Sequence, residues 1–138
     1  MIFLTSGPSA IETQSLWLPI LQRAVDDADG RWSTEQLLRD VEDGRVMVWI
    51  VQMRERVVGV FTTRVIHSRI TWVLVEDLAG EHIHEWLLSA HTALEAWARE
   101  MGAQQIMIEG RWGWSRMLRD FGYETRRVQA VKTLEVLQ

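Results

Sequence analysis

One long amphipathic pattern, with a short apolar run on either side, constrains the fold of this chain more than any other feature. From Ile83 to Gly102 the apolar residues recur with helical spacing, and they would form one face of a helix. Runs rich in β-branched and apolar residues at 69–75 and 105–108 predict strands. Two strands joined by a helical crossover lie parallel in one sheet, so these two strands should be parallel neighbours.

Turn and cap residues locate the elements before this crossover. Ser33 with Gln36 predicts the start of a short helix, and Gly44 predicts its end. Apolar residues with helical spacing over 16–25 predict an earlier helix, with Pro19 near its start and an end near Ala28. The strands predicted in this region are residues 1–7, 46–52 and 57–66, and the last two form an antiparallel meander with 69–75.

Two further elements are predicted after the crossover. Residues 112–120 predict an Arg-rich helix, because Gly122 follows as a left-handed stop. Residues 124–136 predict a final strand. With this strand included, the chain reads as a single domain, residues 1–138, of the α/β class.

Composition excludes several classes of protein. Hydrophobic residues make up 47% and charged residues 25%, which is ordinary for a globular domain, and no apolar run is long enough for a membrane helix. The chain has no cysteine, and its zincin-like start at His84-Glu85 lacks the second histidine because Leu88 occupies that position. We expect no metal site and no membrane contact. No nucleic-acid-binding motif is found, and the net charge is −4.

The order of predicted elements resembles the GNAT-type N-acetyltransferase fold over essentially the whole chain. This resemblance implies a mixed, mostly antiparallel sheet flanked by helices. In such enzymes the fourth strand leads into a glycine-containing loop that begins with Arg or Gln. Backbone amides of that loop, at a helix N-terminus, hold the pyrophosphate of coenzyme A.

That cofactor loop departs from the family's pattern in this chain. If Leu87-Leu88 is the pair that follows the loop, Ala79 takes the basic position, and His82 and His84 take the two glycine positions. Glu81 adds negative charge where phosphates would bind. Under this resemblance the cofactor-binding residues are Ala79, Gly80, Glu81, His82, Ile83 and His84, and binding in the usual mode is not expected.

The catalytic residues of the family are also altered. Many GNAT-type enzymes carry a tyrosine four residues before the Gly-aromatic pair that ends the last helix, and here Gly122-Tyr123 is that pair while Leu118 replaces the tyrosine. A leucine donates no proton. Tyr123 itself is expected to pack at the helix end. Glu76, near the end of the fourth strand, is a candidate base for an acceptor amine, and the alternative is a solvated or helix-capping carboxylate.

Residues 109–114 resemble a Gly-Arg-x-Gly-Trp signature found in small GNAT-like proteins of tailed bacteriophages. The resemblance implies a phage origin and a place among virion structural genes. Arg111, Trp112 and Trp114 are therefore candidate interface residues, since Arg and Trp are enriched at interface hot spots. The alternative is a well-packed corner between strand and helix.

Three functions remain open. The favoured hypothesis is a catalytically degenerate, virion-associated structural or assembly protein that contacts other virion proteins and needs no cofactor. The alternative is an acetyl-CoA-dependent N-acetyltransferase with a divergent cofactor loop, and the second alternative is an inhibitor of a host protein. The expected location is the host cytoplasm during infection, or the virion.

Overall fold

Strands follow one another across a single mixed sheet in the order of the chain. The computed structural model describes residues 1–26, 33–109, 116–126 and 130–134. Within these ranges the sheet order is β1-β2-β3-β4-β5. The elements are β1 (Ile2–Thr5), α1 (Gly7–Glu12), α2 (Gln14–Asp26), α3 (Thr34–Glu42), β2 (Met47–Met53), β3 (Arg56–His67), β4 (Thr71–Gly80), α4 (Ile83–Glu100) and β5 (Gln105–Ile108).

The crossover predicted from the sequence is confirmed. Strands β1 to β4 pair antiparallel, whereas β5 pairs parallel to β4, from Trp72 opposite Gln105 to Val75 opposite Ile108. Helix α4 connects these two strands. The chain thus forms the mixed, mostly antiparallel sheet that the sequence predicts, with helices on both of its faces.

Alternating side chains of the central strands build two separate cores. Val48 and Ile50 of β2 pack with helices α1 to α3 on one face, whereas Trp49 and Val51 pack with α4 on the other. On the α4 face Trp49 stacks on Phe61, with ring centroids 5.3 Å apart. Its indole N–H donates to Thr63 Oγ1 at 2.9 Å, which satisfies both buried polar groups.

The N-terminal elements differ from the prediction. The first strand ends at Thr5 because α1 begins at Gly7, with Pro8 in its first turn, where proline's fixed φ suits a helix. Helix α1 was not predicted. Helix α2 already begins at Gln14, so Pro19 lies inside it rather than near its start. The predicted end near Ala28 lies outside the described residues.

Helix α3 begins where the cap residues predict. Ser33 Oγ accepts the backbone N–H of Gln36 at 3.1 Å. Beyond its end, Gly44 has φ +77°, the left-handed conformation that glycine adopts without strain. No described helix is long and apolar enough to cross a membrane.

Strand β4 is longer than the predicted 69–75, which corrects the position of the proposed cofactor loop. It pairs with β3 as far as Gly80 opposite Gly59, so Ala79 and Gly80 are strand residues. Of the proposed loop residues, Glu81 and His82 link β4 to α4, and Ile83 and His84 are already helical. The sequence did not reveal this extension because four of the residues 76–80 are charged or small and disfavour strands, namely Glu76, Asp77, Ala79 and Gly80.

The C-terminal prediction is confirmed in one part and wrong in another. Residues 116–118 are helical, a 3-10 turn follows at Arg119–Phe121, and Gly122 ends it at φ +86° as predicted. Of the predicted final strand, residues 124–126 and 130–134 form no strand. Val131 and Leu134 are 70% and 77% exposed there, without the neighbouring strand that a ladder requires. The beginning of the predicted helix and the rest of the predicted strand lie outside the described residues.

Two residues of the β2–β3 hairpin turn have a left-handed backbone conformation that is strained for their residue types. Arg54 and Glu55, the two residues between the paired Met53 and Arg56, have φ of 51° and 64°, although neither is a glycine or an asparagine. The double substitution Arg54→Asn with Glu55→Gly should therefore raise the free energy of unfolding by about 1 kcal/mol, measured by urea denaturation. Arg56→Asn, just outside the turn, is the control without this gain, and a double variant no more stable than the native chain would contradict the strain.

Candidate functional site

An irregularity in β4 places two neighbouring carboxylates on the same face of the sheet. Phe61 pairs with Leu78 and Thr63 with Val75, so both Glu76 and Asp77 stand opposite the single residue Thr62. Such a bulge interrupts the usual alternation of side chains. Glu76 and Asp77 both line a small hollow beneath α2 and α3, together with Asp40 and Arg64.

Arg64 connects this cluster by two ion pairs. Its Nε donates to Glu76 Oε1 at 2.6 Å, and its Nη2 donates to Asp40 Oδ2 at 3.0 Å. The side chains of Glu76 and Asp40 are only 13% and 10% exposed. Burial disfavours the charged form of Asp40, but hydrogen bonds from Arg64 and Gln36 outweigh this effect and hold its pKa below the ordinary value.

These contacts qualify the prediction for Glu76. Glu76 lies inside β4 rather than near its end, which corrects the predicted position. Its carboxylate is not a solvated group, because Arg64 engages it directly. A carboxylate that pairs with a partly buried arginine must give up that ion pair before it can accept a proton from a substrate.

Asp77 is the residue of this cluster that sequence analysis missed. Burial raises its pKa above the ordinary value, the charge of Glu76 raises it further, and a hydrogen bond with Thr62 opposes both effects. Thr62 Oγ1 accepts the backbone N–H of Asp77 at 3.2 Å and donates to its Oδ2 at 3.5 Å. The raised pKa makes Asp77 a candidate general base. The bulge that positions it has no signature in the sequence.

The junction between β4 and α4, where the family resemblance places the cofactor, is packed against β3. The backbone N–H of Glu81 donates to Val58 O at 2.8 Å, and the indole N–H of Trp86 donates to Glu81 O at 2.8 Å. The Trp86 ring lies on Gly59, where an added Cβ would come within 2.5 Å of it. Gly80 fits as closely against the backbone of Val58. Both glycines serve internal packing.

The residues of this junction do not fit the pyrophosphate of coenzyme A in the usual mode. His82, which caps α4, has φ +56° and makes no side-chain cap hydrogen bond. Glu81 and Glu85 carry negative charge on the turn that would face the phosphates.

A small apolar cavity lies where β4 and β5 separate. Their pairing ends at Val75 opposite Ile108, while β4 continues to Gly80. The cavity has a volume of about 30 Å³, enough for about two water molecules. Its lining is apolar except for one histidine and consists of Phe61, Val75, Leu78, Trp86, Leu87, Ala90, His91, Leu94, Ile108 and Leu118.

Leu118 and Tyr123 occupy the region where the family keeps its catalytic tyrosine. Leu118 is 5% exposed and lines the cavity, and its side chain carries no hydroxyl. The hydroxyl of Tyr123 lies 2.8 Å from His91 Nε2. Tyr123 therefore packs at the end of the helix, as predicted, and binds the single polar residue of the cavity lining. Burial raises its pKa.

The remaining sequence predictions concern an interface and a metal site. Arg111, Trp112 and Trp114 lie outside the described residues, so their role at an interface stays a prediction. No group of described residues has the composition of a metal site.

Similar folds are found among solved acetyltransferase structures, whereas no protein-family model and no curated protein matches the chain. An aminoglycoside acetyltransferase, meta-AAC0020, from an uncultured soil metagenomic sample superposes with a TM-score of 0.68 at 15% identity, covering 98% of this chain and 96% of that one. The ribosomal-protein-alanine N-acetyltransferase of Brucella melitensis biovar Abortus 2308 gives 0.68 at 13% identity, covering 97% and 99%. Glucosamine-6-phosphate N-acetyltransferase from Arabidopsis thaliana gives 0.67 at 9% identity, covering 98% and 99%. The chain has the GNAT-type acetyltransferase fold.

Replacing Asp77 should stabilise the protein in a pH-dependent way. The pKa of Asp77 is higher in the folded than in the unfolded chain, so its contribution to stability is present below the ordinary value of 3.8 and is lost as the pH rises through the folded value. Asp77→Asn removes the charge and should raise Tm at pH 7, whereas near pH 3 the two proteins should unfold at the same temperature. Thermal unfolding at several pH values measures this difference.

Glu76→Gln is the matched control because it neutralises the neighbouring carboxylate. Arg64 would lose one charged partner, so this variant should be destabilised by about 1.5 to 3 kcal/mol at pH 7. If both substitutions lower Tm at neutral pH, Asp77 carries no burial penalty and is not the perturbed group of this site.

Proposed function

We propose that this protein is a GNAT-fold binding protein without the usual coenzyme A site, which acts through protein contacts as a virion-associated structural or assembly protein of a phage. The observation that supports this proposal is the packed β4–α4 junction, where the Trp86 ring lies on Gly59, Gly80 lies against the backbone of Val58, and the Trp86 indole N–H donates to Glu81 O. No cofactor is required for such a role.

Opening this junction would be costly. Trp86 is 2% exposed, and removing a buried tryptophan from its contacts costs about 3 to 5 kcal/mol. The hydrogen bonds that Glu81 makes with Val58 and Trp86 would be lost as well. Binding a ligand there must overcome these terms and the negative charge of Glu81 and Glu85.

The class of partner follows from the resemblance at residues 109–114. The Gly-Arg-x-Gly-Trp signature resembles that of phage proteins, and Arg111, Trp112 and Trp114 are residue types that favour protein interfaces. We therefore propose other virion proteins as partners, with the host cytoplasm and the virion as the places where the protein acts.

A second candidate function, N-acyl transfer with a different donor site, is favoured by Asp77 alone. A partly buried carboxylate with a raised pKa, next to Glu76 and Asp40, suits a cationic amine that must lose a proton before it attacks an acyl group. This candidate requires coenzyme A to bind without the basic residue and the two glycines that the family's loop would place at Ala79, His82 and His84.

Calorimetric titration with coenzyme A and with acetyl-CoA separates the two candidates. We expect no saturable heat with either ligand at concentrations up to about 1 mM, because the junction is packed and negatively charged. Saturable binding in the micromolar range would contradict the proposed function and support the transferase. ATP serves as the control ligand, since it shares the adenine and phosphates but lacks the pantetheine arm.

The virion role predicts the composition of phage particles. Purified particles of the encoding phage should contain this chain at a fixed copy number, measured by quantitative mass spectrometry against a major capsid protein. A chain that is present in the infected lysate but absent from the particles would overturn the virion role. Its capture on a host protein in the same lysate would then point to the inhibitor hypothesis.

A further inference from the structure

The turn that follows residue 118 is held on α4 by one buried histidine. His91, in the middle of α4, is 8% exposed. Its Nε2 lies 2.8 Å from the hydroxyl of Tyr123, and its ring lies 4.7 Å from that of Phe121, measured between centroids. Leu118, at the other end of the same turn, lines the apolar cavity that His91 also lines. His91 thus contacts the turn and lines the cavity.

Few groups around His91 can compensate a positive charge. Within α4, Glu95 Oε2 lies 3.7 Å from Nδ1, but Glu95 Oε1 pairs with Arg99 at 2.8 Å, and this cation offsets much of its charge. The C-terminal turn contributes Tyr123, whose pKa is raised by burial, so it stays neutral. The neighbours from β3, β4 and β5, namely Phe61, Val75, Leu78 and Ile108, are all apolar.

The hydrogen bond between His91 and Tyr123 has a favoured direction. With its proton on Nδ1, toward Glu95, the neutral ring presents a lone pair on Nε2 that accepts the O–H of Tyr123. Protonation converts Nε2 into a donor. The tyrosine hydroxyl must then rotate so that its oxygen accepts the Nε2–H hydrogen bond. The imidazolium is left in an apolar pocket with one partly neutralised carboxylate nearby.

We propose that His91 is an acid-sensitive latch: the neutral imidazole holds residues 118–123 on α4, and its protonation releases this turn and withdraws Leu118 from the apolar cavity. The device goes beyond the proposed function, because it needs neither a partner nor a coenzyme. Release exposes an apolar surface only in acid.

The direction of the pH effect follows from burial. Burial lowers the pKa of His91 in the folded chain below the ordinary value of 6.5, and the charge of Glu95 opposes this shift only in part. The contribution of the latch is therefore fully present above pH 6.5 and is lost as the pH falls toward the folded value. Undocking of the turn lets the imidazolium return to water.

Hydrogen exchange between pH 5 and pH 8 tests the latch directly. The amides of Gly122 and Tyr123 donate to Arg119 O and Leu118 O within the turn, so they report its opening. Protection factors, corrected for the intrinsic pH dependence of exchange, should fall below pH 6.5 by up to about tenfold per pH unit. Amides of β3 should keep their protection, and a parallel loss there would mean global unfolding and overturn the proposal.

Two variants separate titration of His91 from other acid effects. His91→Gln keeps a hydrogen-bonding side chain that does not titrate, so protection of the turn should no longer depend on pH. Tyr123→Phe removes the latch hydroxyl, so protection at pH 8 should drop to the level of the native protein in acid. A native turn whose protection stays constant across the range, or a His91→Gln variant that loses protection in acid as the native protein does, would refute the latch.

Discussion

The register of β4 against β3 is the constraint on which the rest of this structure depends. Pairing continues to Gly80 opposite Gly59, and the bulge opposite Thr62 absorbs one extra residue on the way. The bulge turns Glu76 and Asp77 to the same face, and the long pairing draws the start of α4 against β3. A shift of one residue would move both carboxylates and the Trp86 contact at once.

The glycines at the β4–α4 junction contribute to packing within the protein. In a glycine-rich loop, missing side chains let a backbone approach phosphates. Here Gly59 admits the ring of Trp86 and Gly80 admits the backbone of Val58, so the space left by the glycines is filled by the protein itself. The His82 backbone, held at positive φ, accommodates the sharp turn that follows. The GNAT-type fold is thus retained with a β4–α4 junction whose glycines pack internally.

Much of this fold is predictable from the sequence because it rests on local periodicity. The spacing of apolar residues in α4, the cap at Ser33 and the left-handed glycines at 44 and 122 are local signals, and the structure confirms them. The parallel pairing of β4 and β5 follows from the crossover. In contrast, the extension of β4 to Gly80 and the orientation of Asp77 depend on pairing with a distant strand, which leaves no local pattern.

The candidate site likewise combines features that the sequence shows directly with features that depend on contacts between separate elements. The replacement of catalytic residue types, such as leucine at position 118, can be read directly because it concerns identity rather than position. Glu76 was predicted as a base since a carboxylate near a strand end is visible in the sequence, whereas its partner Arg64 comes from another strand. The contact between His91 and Tyr123 likewise joins residues that no sequence spacing relates.

The cluster around Asp77 and the apolar cavity that His91 lines are on opposite faces of the sheet, and this separation bears on catalysis. Asp77 faces the side of α2 and α3, together with Val25 and Asp40, whereas the apolar gap between β4 and β5 opens toward α4. In acyl transfer, the general base and the acyl donor must both contact the acceptor nitrogen, each at about 3 Å. A candidate base at Asp77 and an acyl donor placed in the gap would therefore be separated by β4.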